Sequence, residues 1–344
     1  MTGATAEGQW RDSAIWWFAF GYAACYAPYS AMTKALTGGL LPQMERGLSG
    51  FELLPATVMM SVLGMFTFLT LARWWRFASR GRIFGIALPR PTRHTFLSGL
   101  CTAAIIGTTT LAYTFEGVSI VFVMLLMRGG VLIIAPIVDA LSNRKTRWFS
   151  WAGLALSLAA LVLAFSEEGG YEITLVCALD VALYLVSYFV RFRFMSRLAK
   201  SEDPAVNKRY FVEEQMVASP ALLLLLGTLA LVGGSDAALE LRAGFTTFFS
   251  RPIVPHAFLV GLLSQGTGIF GSLVYLDKRE NTFSVPVNRS SSILAGVLAS
   301  YALTWSLGAA PPSTHQLGGA GLIVVAILFL SLPPALEKRR RAVT

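Results

Sequence analysis

Residues 96–113 recur 162 positions later, at 258–275. Six of those eighteen positions are identical without a gap, and Thr102/Ser264 and Thr110/Ser272 keep their hydroxyls. The same offset carries Tyr22 onto Tyr184 and Tyr26 onto Tyr188, and with a slip of one residue it carries Arg128 onto Arg289. A chain of 344 residues that repeats itself in this way reads as two copies of one unit, 1–168 and 169–344.

Composition decides the solvent of that unit. Hydrophobic residues make up 55% of the chain and charged residues only 14%. That is too much apolar surface for a water-soluble core, so an integral membrane protein is expected. Apolar runs long enough to span lie near 14–36, 51–73, 95–114, 118–141, 148–166, 172–192, 210–233, 255–276, 282–305 and 316–334. The first is read as a retained helix rather than a cleaved signal, because the repeat needs it. Five runs per copy is an odd number, which turns the second copy over relative to the first. The expected fold is therefore all-α, with ten transmembrane helices as two inverted five-helix repeats. Secondary transporters are built this way, with substrate sites near the midplane between the repeats.

The net charge of +9 follows the same topology. With the N-terminus inside, the inside segments take all of the 28 Lys and Arg except six. Lys34, Arg46, Arg242 and Arg251 fall outside, and Arg128 and Arg289 fall within spans. By the positive-inside rule both termini face the cytoplasm, and a bacterial inner membrane is the expected location. The basic stretch 73–93 then reads as a solvated loop near anionic lipid, and no nucleic-acid partner is expected. Cys25, Cys101 and Cys177 sit in separate runs, and His94, His256 and His315 near run ends. No metal, cofactor or enzymatic chemistry is expected from them.

Arg128 lies about ten residues, or roughly 15 Å, into its run. An unpaired guanidinium at that depth costs at least about 2.5–3.5 kcal/mol. Arg289 is less deep and is flanked by Asn288 and Ser290. A planar guanidinium fork suits phosphate or carboxylate, and two of them from opposite halves could clamp one anion. Asp180 is the candidate counter-charge or proton carrier, but one aspartate cannot neutralise two arginines, so the core keeps a surplus positive charge unless Glu116, Asp139 or Glu280, all nearer the ends, reach inward. Tyr22, Tyr26, Tyr184 and Tyr188 form equivalent i, i+4 pairs that could stack on a substrate. Gln265 could line the cavity and Lys34 could be an entry charge. Gly153, Gly318, Gly319 and Gly321 are candidate packing faces for a homodimer.

The chain resembles the drug/metabolite transporter superfamily over about 320 residues. Residues 135–144 followed by 151–164 resemble its proline-containing helix, short polar turn and glycine-led helix, and 300–305 followed by 317–326 are the counterpart. Asn143 stands about where the exporter branch has a glutamate. Asn288 and Arg289, continued by Leu294, Ala295 and Gly296, look like the asparagine-lysine motif of the nucleotide-sugar transporters. Arg128 matches a fourth-helix lysine of the triose-phosphate/phosphate translocators. The resemblance implies that Arg128 and Arg289 contact a substrate phosphate. The expected function is exchange of a small anionic, phosphorylated metabolite by alternating access. Proton-coupled export of amino acids or similar amphiphiles, with Asp180 as carrier, is the alternative, followed by a non-transporting scaffold or lipid-handling protein.

Overall fold

In hydrocarbon an apolar run can satisfy its own backbone only as a helix or a closed barrel. The computed structural model describes residues 3–42, 44–83, 86–111, 120–164, 175–309, 311–312 and 314–343, and within them each apolar run lies on a helix. In chain order these are α1 (Gly3–Thr37), α2 (Gly50–Leu71), α3 (Arg93–Leu111), α4 (Ile120–Leu141), α5 (Trp148–Ala164), α6 (Leu175–Leu198), α7 (Pro204–Val232), α8 (Asp236–Phe245), α9 (Val254–Tyr275), α10 (Asn281–Leu307) and α11 (Thr314–Val343). Helix starts follow capping chemistry: Ser49 accepts from the Phe51 N–H, Asp203 caps α7 ahead of Pro204, and Ser235 caps α8.

Four helices are each long and apolar enough to cross a membrane: Gly50–Leu71, Pro204–Val232, Val254–Tyr275 and Asn281–Leu307. Shorter apolar stretches lie at Trp148–Leu163 and Leu317–Pro333. Leu63, Leu183, Val186, Leu224, Leu231 and Val232 stand on the outer surface, whereas Asp139, Arg191, Glu213, Glu214, Asn288 and Arg289 are buried. Apolar outside and polar inside is the arrangement of a membrane-embedded helical protein.

Helix packing joins early and late helices of the chain. α1 packs on α9 and α10, while its sequence counterpart α6 packs on α3 and α4. α2 crosses α9 as α7 crosses α3, and α5 lies against α11. Two repeat-related glycines set the crossings. A Cβ at Gly261 would stand 2.4 Å from the Thr57 carbonyl of α2, and one at Gly99 would stand 2.6 Å from Val217 and 2.8 Å from the Glu214 carbonyl of α7. Glycine at both places lets backbones meet, as in other membrane helix pairs. Gly153 and Gly318 face Leu330 and Leu163 within the chain. They serve the α5–α11 contact, whereas a Cβ at Gly321 would meet nothing within 4 Å.

Three departures from the sequence reading have simple causes. α8 has no apolar run of its own, since its ten residues are too short to span; it buries Ala238 and Leu241 among Leu54, Leu222 and Leu226. α6 and α7 extend past their apolar runs, to Leu198 and from Pro204, because their polar ends find buried partners. The basic stretch 73–93 holds a 3-10 turn, Trp74–Phe77, and an antiparallel hairpin of β1 (Arg80–Ile83) and β2 (Ile86–Pro89). Its exposed arginines stay in solvent, but its base is tied down by Glu213 of α7. That fully buried carboxylate accepts from the backbone N–H of Ser79 and Thr92, at 3.0 and 3.1 Å, and from the Thr95 hydroxyl at 2.8 Å.

Replacing Glu213 by alanine takes the acceptor from two half-buried N–H groups, each loss worth up to about 1–3 kcal/mol. Glu213→Ala is expected to lower the thermal midpoint in detergent and to open residues 80–89 to limited proteolysis while the helical circular dichroism persists.

Candidate functional site

The helices enclose a cavity of about 1010 Å³. Its mouth lies where α1 ends and α2 and α8 begin, at Lys34, Thr37, Ser49, Asp236 and Glu240. Tyr22, Tyr26 and Tyr29, at i, i+4 and i+7 on α1, form an aromatic stripe leading inward, with Tyr22 and Tyr26 stacked at 5.5 Å. Gln215 and Ser219 of α7 and Gln265, Ser272 and Tyr275 of α9 supply a hydrogen-bonding wall. Tyr188 and Arg191 of α6 and Asn288 and Arg289 of α10 complete it. Glycine at 271 makes room for this meeting, since a Cβ there would stand 3.2 Å from the Tyr22 ring and 3.3 Å from Asn288 Nδ2.

Arg289 is 7% exposed, and no carboxylate among the described residues pairs with it. Its Nη2 donates to the Tyr184 hydroxyl at 3.3 Å, its guanidinium lies 5.3 Å over the Tyr188 ring, and its Nε has no partner. Beside it Asn288 accepts from the Tyr275 hydroxyl at 2.7 Å, leaving Nδ2 unpartnered. Two adjacent donors therefore lack acceptors on a cavity wall, the pattern of a site that takes an acceptor-rich anion.

Arg128 donates to the Tyr26 hydroxyl at 2.8 Å and is half-buried. It is not among the described lining residues, whereas Tyr26 is, so Arg128 meets the cavity through that ring. An arginine–tyrosine contact thus recurs in both halves. Tyr22, Tyr26, Tyr188, Gln265, Lys34, Asn288 and Arg289 line one cavity. Tyr184 joins them behind the wall through Arg289. Ser290 does not: it is fully buried, 3.4 Å from Ser157 of α5, because its position on α10 turns it from the face that carries Arg289. Asp180 is buried and pairs with neither arginine among the described residues; its Oδ2 has no partner. Glu116, another candidate counter-charge, lies outside the described residues.

Sequence reasoning misses the ion pair at the deep end. Arg191 Nε and Nη2 donate to the two oxygens of Glu214 at 2.9 and 2.8 Å, and Nη2 also reaches Ser272 at 2.9 Å. Run limits at 192 and 210 put both residues at span ends; the longer helices bring them inside. One signal was available, since Glu214 follows Glu52 by the repeat offset and Glu52 also binds an arginine, Arg251, at 2.6 Å.

The opposite end is shut by polar contacts across the halves. Asp139 of α4 caps α10, accepting from the Asn281 and Thr282 N–H groups at 2.9 and 2.7 Å. Glu280 accepts from Ser150 at 2.7 Å, and Arg144 donates to the Lys278 and Ser196 carbonyls. Lys200 Nζ, buried in the α6–α7 connection, donates to the Tyr275 carbonyl and the Ser284 hydroxyl.

No protein-family model and no curated protein matches the chain. A solved structure described only as the crystal structure of a protein aligns over 93% of this chain and 97% of its own, with a TM-score of 0.53 and 16% sequence identity. At that identity the likeness concerns the helix arrangement alone.

Burial pushes the Lys200 ammonium down from 10.5 to about 8, against the attraction of Asp139 and Asp277. A lysine lowered by folding penalises the fold below about pH 8, and the penalty lifts as pH rises toward 10.5. Thermal unfolding in detergent is expected to gain stability over that interval in the wild type, with a smaller gain in Lys200→Met.

Proposed function

We propose that the protein is a secondary transporter of the drug/metabolite transporter type. On this reading ten spans form two inverted five-helix repeats, and a small anionic, phosphorylated metabolite is exchanged across a bacterial inner membrane by alternating access. Both termini then face the cytoplasm, the cavity opens outward, and the polar contacts around Asp139 close the cytoplasmic side. The exchange of packing partners between α1 and α6, and the matching glycine crossings, support the repeat.

The observation that carries the functional reading is Arg289: a buried cation on the wall of a large cavity, held by tyrosines rather than a carboxylate, with Nε unpartnered. A scaffold that uses its arginines as internal braces has no need of such a cavity, and a brace would pair Arg289 with an acid. Asp180 lies off the described cavity wall, which makes it the weaker candidate for a coupling group. The tyrosine stripe gives an organic substrate a face to rest on while its anionic end meets Arg289 and Asn288.

Counterflow into proteoliposomes, comparing phosphorylated and unphosphorylated forms of the same metabolites, tests the reading. A hydrogen bond to a charged group is worth about 1.5–3 kcal/mol, so Arg289→Ala is expected to cut counterflow of the phosphorylated form by about ten- to a hundredfold. Arg128→Ala, acting through Tyr26, is expected to cost less. Transport by both variants at the wild-type rate overturns the anion site.

A further inference from the structure

The Arg191–Glu214 pair sits where a ligand in the cavity would disturb it. Arg191 lines the deep wall, and Glu214, fully buried, stands behind it. Two of the three guanidinium nitrogens are engaged, Nε and Nη2, while Nη1 has no hydrogen-bond partner among the described residues. On its far side Glu214 Oε1 accepts from the Ser98 hydroxyl at 2.6 Å, and Ser98 lies 2.6 Å from the Tyr210 hydroxyl. Because Ser98 spends its proton on Glu214, Tyr210 is the donor in that second bond. This relay runs toward the start of α7, at the shut end of the molecule. Glu214 therefore stands between the cavity and the closed side, with a polar contact to each.

We propose that this pair is a proton site opened by the substrate, which makes the transporter proton-coupled; the proposal rests on the anion-transport reading above. An anion held by Arg289 and Asn288 takes a further hydrogen bond from Arg191 Nη1 on the same cavity wall and draws that guanidinium toward the cavity. Glu214 then loses a bidentate cation while remaining out of water. An uncompensated buried carboxylate is costly, and taking up one proton removes the charge. The proton adds to a Glu214 oxygen, no other bond changes, and the neutral acid donates to Ser98, whose hydroxyl turns toward Tyr210. When the anion leaves, Arg191 returns and the proton is released, so anion and proton cross together.

Other titratable groups surround the pair. Arg191 and Tyr188 face the pair from α6, Cys101 from α3, Tyr275 from α9 and Tyr210 from α7 itself. Of the other helices packed on α7, α2 contributes Glu52, paired with Arg251, and α8 contributes Asp236 and Glu240 at the mouth. These two are the acids on the described cavity wall, so Glu214 is the carboxylate that an anion at the deep end would affect.

Proteoliposomes and radiolabelled monofluorophosphate, a phosphate mimic that binds no proton near neutral pH, provide the test. Counterflow reports anion transport, and uptake driven by an acidic exterior reports coupling. With the membrane potential clamped at zero, one proton per anion supports about tenfold accumulation per pH unit in the wild type. In Glu214→Gln the accumulation is expected to vanish relative to counterflow, whatever the absolute rate. Ser98→Ala, which keeps the ion pair and removes the relay hydroxyl, is expected to slow gradient-driven uptake relative to counterflow. Counterflow in the wild type without gradient-driven accumulation overturns the coupling and spares the anion-transport reading. Absence of counterflow overturns both. An accumulation ratio unchanged in both variants assigns the proton elsewhere and overturns the role of Glu214.

Discussion

A guanidinium buried without a carboxylate partner among the described residues is the constraint around which the interior is arranged. Arg289 is fully substituted by donors, so only acceptors can steady it, and the structure supplies a tyrosine hydroxyl and a tyrosine ring. Both are weak substitutes for a counter-ion. The charge is kept available on a cavity wall, and Asn288 adds a second donor beside it.

Arg191 is the contrast that makes this legible. It is as deeply buried, lines the same cavity and approaches a tyrosine ring, Tyr275 at 5.8 Å, yet Glu214 neutralises it with two short bonds. One arginine is matched and the other is not, within a single wall. Removing the acid from the first would leave a buried charge alone, which ordinarily costs several kcal/mol. The chain tolerates that arrangement at Arg289, where an open cavity adjoins the charge.

The two ends of the molecule differ although residues 96–113 and 258–275 are alike in sequence. Related glycines, Gly99 and Gly261, bring equivalent helices into contact, and each arginine donates to a tyrosine, Arg128 to Tyr26 of α1 and Arg289 to Tyr184 of α6. The ends are then treated differently: Asp139, Glu280 and Lys200 tie α4, α5 and the α6–α7 connection to α9 and α10 at one end, while the α1 and α2 ends frame an opening at the other. Those ties are hydrogen bonds and ion pairs, short-ranged and directional, so they can break as units without disturbing the apolar packing between them.

The chain by itself determined the solvent, the helical class and the positions of the helices, because apolar runs of spanning length and the period of their repetition are written residue by residue. It also marked Arg289, Asn288 and the tyrosines, whose chemistry is out of place in such runs. It did not reveal the Arg191–Glu214 pair, the turning of Ser290 toward α5, the hairpin held by Glu213 or the isolation of Asp180 from both arginines among the described residues. Each of these depends on which helix faces which and at what rotation. Those choices are made by contacts between residues more than a hundred positions apart in most cases, such as Gly261 on Thr57 and Asp139 on Asn281, and local sequence carries no record of them.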